Sequence, residues 1–461
     1  MARCSVFLLL ALFYSPALNC IALRSKDGME EWGYARVRPK AHLFWWLYKS
    51  PYRVEDPHKP WPIVLWLQGG PGASGVGIGN FQEIGPWDTS LKPRNSTWLK
   101  VADLIFVDNP VGTGFSFVEE PDALVKTDEQ AAADLTKALM KIFNHRPALQ
   151  KSPLYLVAES YGGKYAVTTA LCALRAIDAG ILNVTFGGVA LGDSWISPED
   201  FVLSWGPLLK DVSRLDDTGM RNANIVAEAI KQEIQAGQYL NATNSWSNLE
   251  NLILTSSNNV DFYNFLYDSD LDPAISASTS AVLSEKLAFR RYSRYLNSIR
   301  PGAGNDVDID TFMNGPIREK LKIIPVNVTW GGQESLVFNA LEGDFMKPRT
   351  KEVDELLAKG VQVTVYNGQL DVICATKGTE AWVLKLKWEG LNKFHSLERT
   401  ALYCGDEQGT LGFSKSYKNF HFYWILGAGH FVPVSQPCLA LSMVRNITHS
   451  PAATATTTTS L

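Results

Sequence analysis

The chain has 461 residues, 46% of them hydrophobic and 20% charged. That balance excludes a wholly disordered chain and gives ample length for a large buried core, in one big domain or about three average ones. Lys plus Arg number 43 against 47 for Asp plus Glu, a formal charge of -4. No basic excess exists to neutralise a phosphate backbone, which excludes nucleic-acid binding as a default.

Residues 1–26 read as a secretory leader. Arg3 supplies a short positive region, Cys4 to Tyr14 is almost wholly apolar, and Cys20-Ile21-Ala22 offers a small-residue cleavage point. The apolar run is shorter than the ~20 residues of a spanning helix, and no later segment is long and apolar enough to cross a bilayer. Asn95, Asn183, Asn241, Asn327 and Asn446 each begin an Asn-x-Ser/Thr sequon. Downstream of a leader, these predict glycosylated, exposed positions and a secreted or lysosomal protein.

Cys4 and Cys20 fall inside the leader. Cys172, Cys374, Cys404 and Cys438 remain, which allows three pairings and predicts one or two disulfides. No Cys/His spacing suggests zinc, and no metal or other cofactor is expected.

In chain order, short apolar runs end in glycine or turn residues. Ile63 to Leu67 precedes Gln68-Gly69-Gly70-Pro71-Gly72, Leu104 to Val107 precedes Asp108-Asn109-Pro110, and Leu154 to Ala158 precedes Glu159-Ser160-Tyr161-Gly162-Gly163. Phe186 to Leu191, Val361 to Tyr366 and Phe420 to Leu426 end the same way. These are strand signals. Helical spacing over Asp128 to Phe143 lies between them, and such alternation predicts a mostly parallel α/β sheet.

The polar stretch 197–315 lacks this rhythm. It carries helical runs at Asn222 to Ala236 and Thr279 to Leu296, and reads as an inserted helical cap between core segments 27–196 and 316–450. Arg290, Arg291 and Arg294 read as a solvated helix face, with a processing site as the sharper alternative. The Thr/Ala-rich tail 451–461 reads as disordered.

Ser160 sits between a strand and a helical run, the setting of a nucleophile elbow, in which a sharp turn lifts the hydroxyl off the backbone. Its base must come from seven histidines. His430 follows the last strand in a glycine-rich loop and suits the role. Asp371, after an earlier strand, would accept the imidazole N–H and fix its tautomer. The order Ser160, Asp371, His430 is that of α/β-hydrolases. The amide of Tyr161 and one from Gly69-Gly70 would form an oxyanion hole.

These pieces resemble the serine carboxypeptidases. Trp66-Leu67-Gln68-Gly69-Gly70-Pro71-Gly72, Asp108-Asn109-Pro110-Val111-Gly112-Thr113-Gly114-Phe115-Ser116, Glu159-Ser160-Tyr161-Gly162-Gly163 and Gly429-His430-Phe431-Val432-Pro433 carry the likeness, in order, from about Ala35 to Arg445. The resemblance implies an α/β-hydrolase fold with a helical cap and removal of C-terminal residues from peptides with a free C-terminus. It implies Ser160, Asp371 and His430 as the triad, with Gly70 and Tyr161 as oxyanion donors. Gln68 and Glu159 would bind the substrate carboxylate, supported by Trp66 and Glu83. Gln68 stands where the family has Asn, Ala73 where it has Cys, Ala158 where it has Gly, Gln369 where Asp is frequent, and Phe431 where Met is common.

A Glu beside a bound carboxylate must be protonated to donate rather than repel, so acidic pH should favour activity. The alternatives are an esterase, amidase or acyltransferase of the same fold, or a catalytically weak stabilising partner. The oligomeric state is left open, a homodimer included.

Overall fold

Every expected strand forms: Ile63–Leu67 (β4), Asp103–Val107 (β5), Pro153–Glu159 (β7), Thr185–Gly192 (β8), Gln362–Gly368 (β9) and Phe420–Ile425 (β12). They are described in a computed structural model covering residues 21–56, 58–269, 308–331, 335–405 and 409–452. The six run parallel in the order β5-β4-β7-β8-β9-β12. β4 and β5 are buried at every position, as strands covered on both faces must be.

Antiparallel strands extend both edges, and the strand-then-glycine rhythm does not announce them. Ile21–Arg24 (β1), Glu30–Arg38 (β2) and Ala41–Tyr48 (β3) lie beyond β5, with Phe117–Val118 (β6) against β3. Thr400–Leu402 (β10) and Gly412–Tyr417 (β11) lie beyond β12. β1 falls inside the stretch assigned above to the leader, yet its four residues pair in register with β2.

Side chains of β4 alternate between two cores. Ile63, Leu65 and Leu67 join one, while Val64 and Trp66 join the other. The first is covered by Asp128–Phe143 (α1) and Gly162–Asp178 (α3), with Pro147–Gln150 (α2) between them in the chain. The expected helix bounds for α1 hold. Thr127 caps it by accepting from the Gln130 amide, and Asp128 and Glu129 complement its positive end. The second face is covered by the wide helical segment Gly75–Ile84 and the helix Pro437–Ile447.

The stretch 197–315 supplies Pro198–Asp211 (α4), Asp217–Gln235 (α5) and Tyr239–Ser257 (α6). The run expected at Asn222 to Ala236 falls on α5. The expected run Thr279 to Leu296, with Arg290, Arg291 and Arg294, lies outside the described residues, as does the expected tail beyond Ala452. Trp246 of α6 packs on Phe345 with ring centroids 4.8 Å apart, and Phe345 stacks on Trp195 at 5.5 Å. Phe345 ends the helix Ser335–Phe345, so packing on α6 continues past residue 315.

Cys404 and Cys438 form a disulfide with Cα atoms 6.0 Å apart, while Cys172 and Cys374 remain thiols. Among the described residues, no helix is long and apolar enough to cross a membrane. The parallel core, with a sharp turn after β7, is the α/β-hydrolase fold.

Candidate active site

β7 ends at Glu159 and α3 begins at Gly162, so the chain reverses within two residues. Ser160 takes φ of 60°, a left-handed conformation that costs a non-glycine residue energy and must be held by its surroundings. Its amide donates to Gly192 O at 3.0 Å, and its carbonyl accepts from the Trp195 amide at 2.9 Å. The turn is also crowded. A Cβ on Gly162 would lie 2.2 Å from Leu67 O, and one on Gly69 would lie 2.5 Å from Ser160 Cβ.

Gly69-Gly70 therefore lies directly against the elbow. Among the described residues, no backbone carbonyl takes the amide of Gly70 or Tyr161. The Tyr161 ring is anchored away from the site, its hydroxyl donating to Asp128 Oδ1 at 2.8 Å.

Asp371 and His430 meet with Oδ2 and Nδ1 2.8 Å apart, both fully buried. The loops after β9 and β12 pack together to achieve this. A Cβ on Gly368 would lie 2.1 Å from Gly429 O, and the Leu370 amide donates to Ala428 O at 2.8 Å. His430 Nε2 is buried and has no hydrogen-bond partner among the described residues. No other histidine is buried. Cys374 Sγ lies within 4.8 Å of both Asp371 and His430, and burial pushes its thiol pKa up, away from a reactive thiolate.

The residues assigned to a substrate carboxylate form a buried chain. Trp66 Nε1 donates to Gln68 Oε1 at 2.6 Å, and Gln68 Nε2 donates to Glu159 Oε1 at 2.9 Å. Glu83 faces Glu159 within hydrogen-bonding range. Burial raises Glu83 to about 7. Burial first, and then the charge of Glu83, pushes Glu159 well above the carboxylate range. A proton on this pair lets it face an anion.

Three contributors lie outside the expected site residues. The segment after α6 binds the acid loop. The Val372 and Ile373 amides donate to Phe262 O at 3.0 and 2.9 Å, and the Phe265 amide donates to Leu370 O at 3.0 Å. Its Tyr263 accepts from the His430 amide at 2.8 Å. Asp193 reaches the same loop, its Oδ1 accepting from the Gly368 amide at 2.8 Å. Asp108, quoted above only as part of a motif, ties two loops together. It accepts from Ser74 Oγ at 2.5 Å, Val76 N at 3.1 Å and Phe115 N at 2.7 Å. Asn95, Asn183, Asn241, Asn327 and Asn446 are all exposed.

Residues 23–450 match the family described as serine carboxypeptidase. Serine carboxypeptidase-like 51 of Arabidopsis thaliana is 62% identical over 432 residues, covering 93% of this chain and 94% of that protein. Retinoid-inducible serine carboxypeptidase of Mus musculus is 45% identical over 449 residues, covering 97% of this chain and 98% of that protein. A crystal structure of Kex1Δp, described as a prohormone-processing carboxypeptidase from Saccharomyces cerevisiae, shares the fold with a TM-score of 0.74 at 20% identity, covering 91% of each chain.

Proposed function

From the premise that the chain belongs to the serine carboxypeptidase family, we propose that it releases C-terminal amino acids from peptides through an acyl-enzyme on Ser160. The observation that carries the reading is the buried Asp371–His430 pair, with Nε2 unpartnered, on the sheet end that presents Ser160.

His430 Nε2 takes the Ser160 proton as Oγ attacks the scissile carbonyl. The amides of Gly70 and Tyr161 receive the oxyanion. The C–N bond then breaks, and His430 returns its proton to the leaving amino group. Water, activated by the same histidine, attacks the acyl-Ser160 ester and regenerates the hydroxyl. Asp371 holds the imidazole tautomer and balances the imidazolium charge.

The chain Trp66–Gln68–Glu159–Glu83 supports recognition of a free C-terminal carboxylate and activity at acidic pH. An exposed Asn at each of the five sequons supports passage through the secretory pathway, to the lysosome or outside the cell. Cleavage of the leader near Cys20 would leave β1 in the mature sheet.

The test is release of free amino acid from an N-blocked dipeptide at about pH 5, where such a carboxyl pair holds its proton, beside the corresponding C-terminal amide and the Ser160→Ala variant. Release from the acid, slower from the amide and lost in the variant, is the expected result. Turnover persisting in Ser160→Ala would sink the assignment, and equal rates on acid and amide would favour an esterase or amidase.

A further inference from the structure

Asp193 follows the last residue of β8. It is buried and held at φ of 38°. Its amide donates to Tyr366 O at 2.9 Å, and its Oδ1 accepts from the Gly368 amide at 2.8 Å. The Gly368 carbonyl in turn accepts from the Asp371 amide at 3.4 Å. Two carboxyl groups thus hang on opposite sides of one peptide turn. Asp193 Oδ2 and Asp371 Oδ1 are both buried, and neither has an N–H or hydroxyl partner among the described residues. Asp193 and Asp371 face each other within hydrogen-bonding range.

Two ionised carboxylates so placed would repel in a medium of low dielectric, whereas one shared proton turns the contact into a hydrogen bond. We propose that Asp193 is a neutral acid whose Oδ2–H donates to Asp371 Oδ1, turning Asp371 so that Oδ2 meets His430 Nδ1. The inference rests on the triad reading above. Asp193 touches neither substrate nor the reacting atoms, so it is a positioning residue. Burial, and then the charge of Asp371, pushes its carboxyl well above the usual range. Beyond Asp371 and the His430 ring on its far oxygen, the titratable groups around it are Glu159, Tyr366 and Cys374, and none of these three carries a positive charge. His430 meets the other oxygen of Asp371, so no cation faces Asp193 itself to offset a second negative charge.

A hydrogen bond to Asp371 stabilises its carboxylate and weakens its hold on the imidazolium proton. Without that bond, the acid limb of reactivity should move upward.

The experiment uses the full glycosylated protein and the rate of fluorophosphonate labelling of Ser160 against pH, which needs no substrate carboxylate. Asp193→Asn keeps one acceptor for Gly368 and one donor for Asp371, so it should label within about threefold of the native protein. Asp193→Ala should label about 10–100-fold more slowly at low pH, having lost a hydrogen bond to a charged group, with its acid limb shifted upward. Equal rates and equal acid limbs in the two variants would overturn the proposal.

Should Asp193→Ala fail to fold, the alkaline limb decides. The native protein should lose reactivity when the shared proton leaves, and Asp193→Asn should keep it. Coincident alkaline limbs would then overturn the role of Asp193. Labelling that survives in Ser160→Ala would instead remove the triad reading, and this inference with it.

Discussion

Gln68 donates to Glu159 at 2.9 Å while its own carbonyl oxygen takes the Trp66 indole N–H at 2.6 Å. The indole fixes which end of the amide faces Glu159. Glu159 is the neighbour of Ser160 in the chain, so whatever group it binds sits close to the scissile bond. Glu159→Ala should raise KM for a free-acid dipeptide by about 10–100-fold, the range for losing a hydrogen bond to a charged group. Hydrolysis of the peptide amide should change far less, and fluorophosphonate labelling should persist. A matching loss on acid and amide would mean that Glu159 serves the elbow rather than the substrate.

Glu83 and Asp108 each sit at about 7, chiefly because burial disfavours their charged forms. For Glu83 the consequence is functional. Below that pH it holds a proton, and above it the Glu83–Glu159 pair gains charge and repels a carboxylate. KM for the acid substrate should therefore climb above about pH 7 while KM for the amide stays flat. Glu83→Gln should flatten the first curve. A KM that is level in both substrates would dissociate Glu83 from binding.

The same two groups predict a direction for stability. A carboxyl whose folded pKa is raised binds its proton more tightly in the native state, so the stability it contributes is full below its unfolded value and is lost as pH rises through its folded value. For Glu83 that window runs from 4.5 to about 7, and for Asp108 from 3.8 to about 7. The unfolding temperature should fall between pH 5 and 8 rather than rise, within about those limits. A higher unfolding temperature at pH 8 would contradict the burial of these acids in protonated form.

Much of the central sheet is legible because a buried parallel strand announces itself twice, by an apolar run and by the turn that ends it. Ser160, Asp371 and His430 are readable for the same reason, each standing in such a turn. β2 and β3 escape that rule because a short turn at Lys40 joins them without a glycine loop. Tyr263 escapes because it contributes a backbone carbonyl, which any residue could supply. Asp193 is visible as the end of a strand, but its partner Asp371 is far away in the chain. Only the adjacency of β8 and β9 brings them together. The pairing of Cys404 with Cys438 was one of three arithmetical options until the edge of the sheet and the last helix were set side by side.

Gly69→Ala tests the closeness of the oxyanion loop. The new methyl group would lie 2.5 Å from Ser160 Cβ, 2.8 Å from Tyr161 N and 2.9 Å from Glu159 O. Two of these are backbone atoms that cannot rotate away, so the loop must retreat and carry the Gly70 amide with it. Loss of one oxyanion donor costs about 100–1,000-fold in kcat, and a decrease in that range is expected with KM little changed. A variant with native kcat would show that Gly70 is not a donor.

Arg349 is buried among acids. It donates to Asp128 Oδ2 at 2.9 Å, Glu129 Oε1 at 2.6 Å and Asp344 Oδ2 at 2.7 Å. Burial would raise the Asp128 carboxyl, yet Lys164 and Arg349 outweigh it and hold the group below its ordinary value. Asp128 also accepts the Tyr161 hydroxyl, so the network reaches the residue proposed as an oxyanion donor. Arg349→Ala would strand Asp128 and Asp344 in the interior. Breaking a buried ion pair from one side costs about 3–5 kcal/mol, to be read from denaturant unfolding. Arg349→Lys should recover only part of this, because one ammonium cannot reproduce the guanidinium fork that reaches Asp128, Glu129 and Asp344 together. Full recovery by lysine would show that charge alone, not the directed hydrogen bonds, balances Asp128 and Asp344.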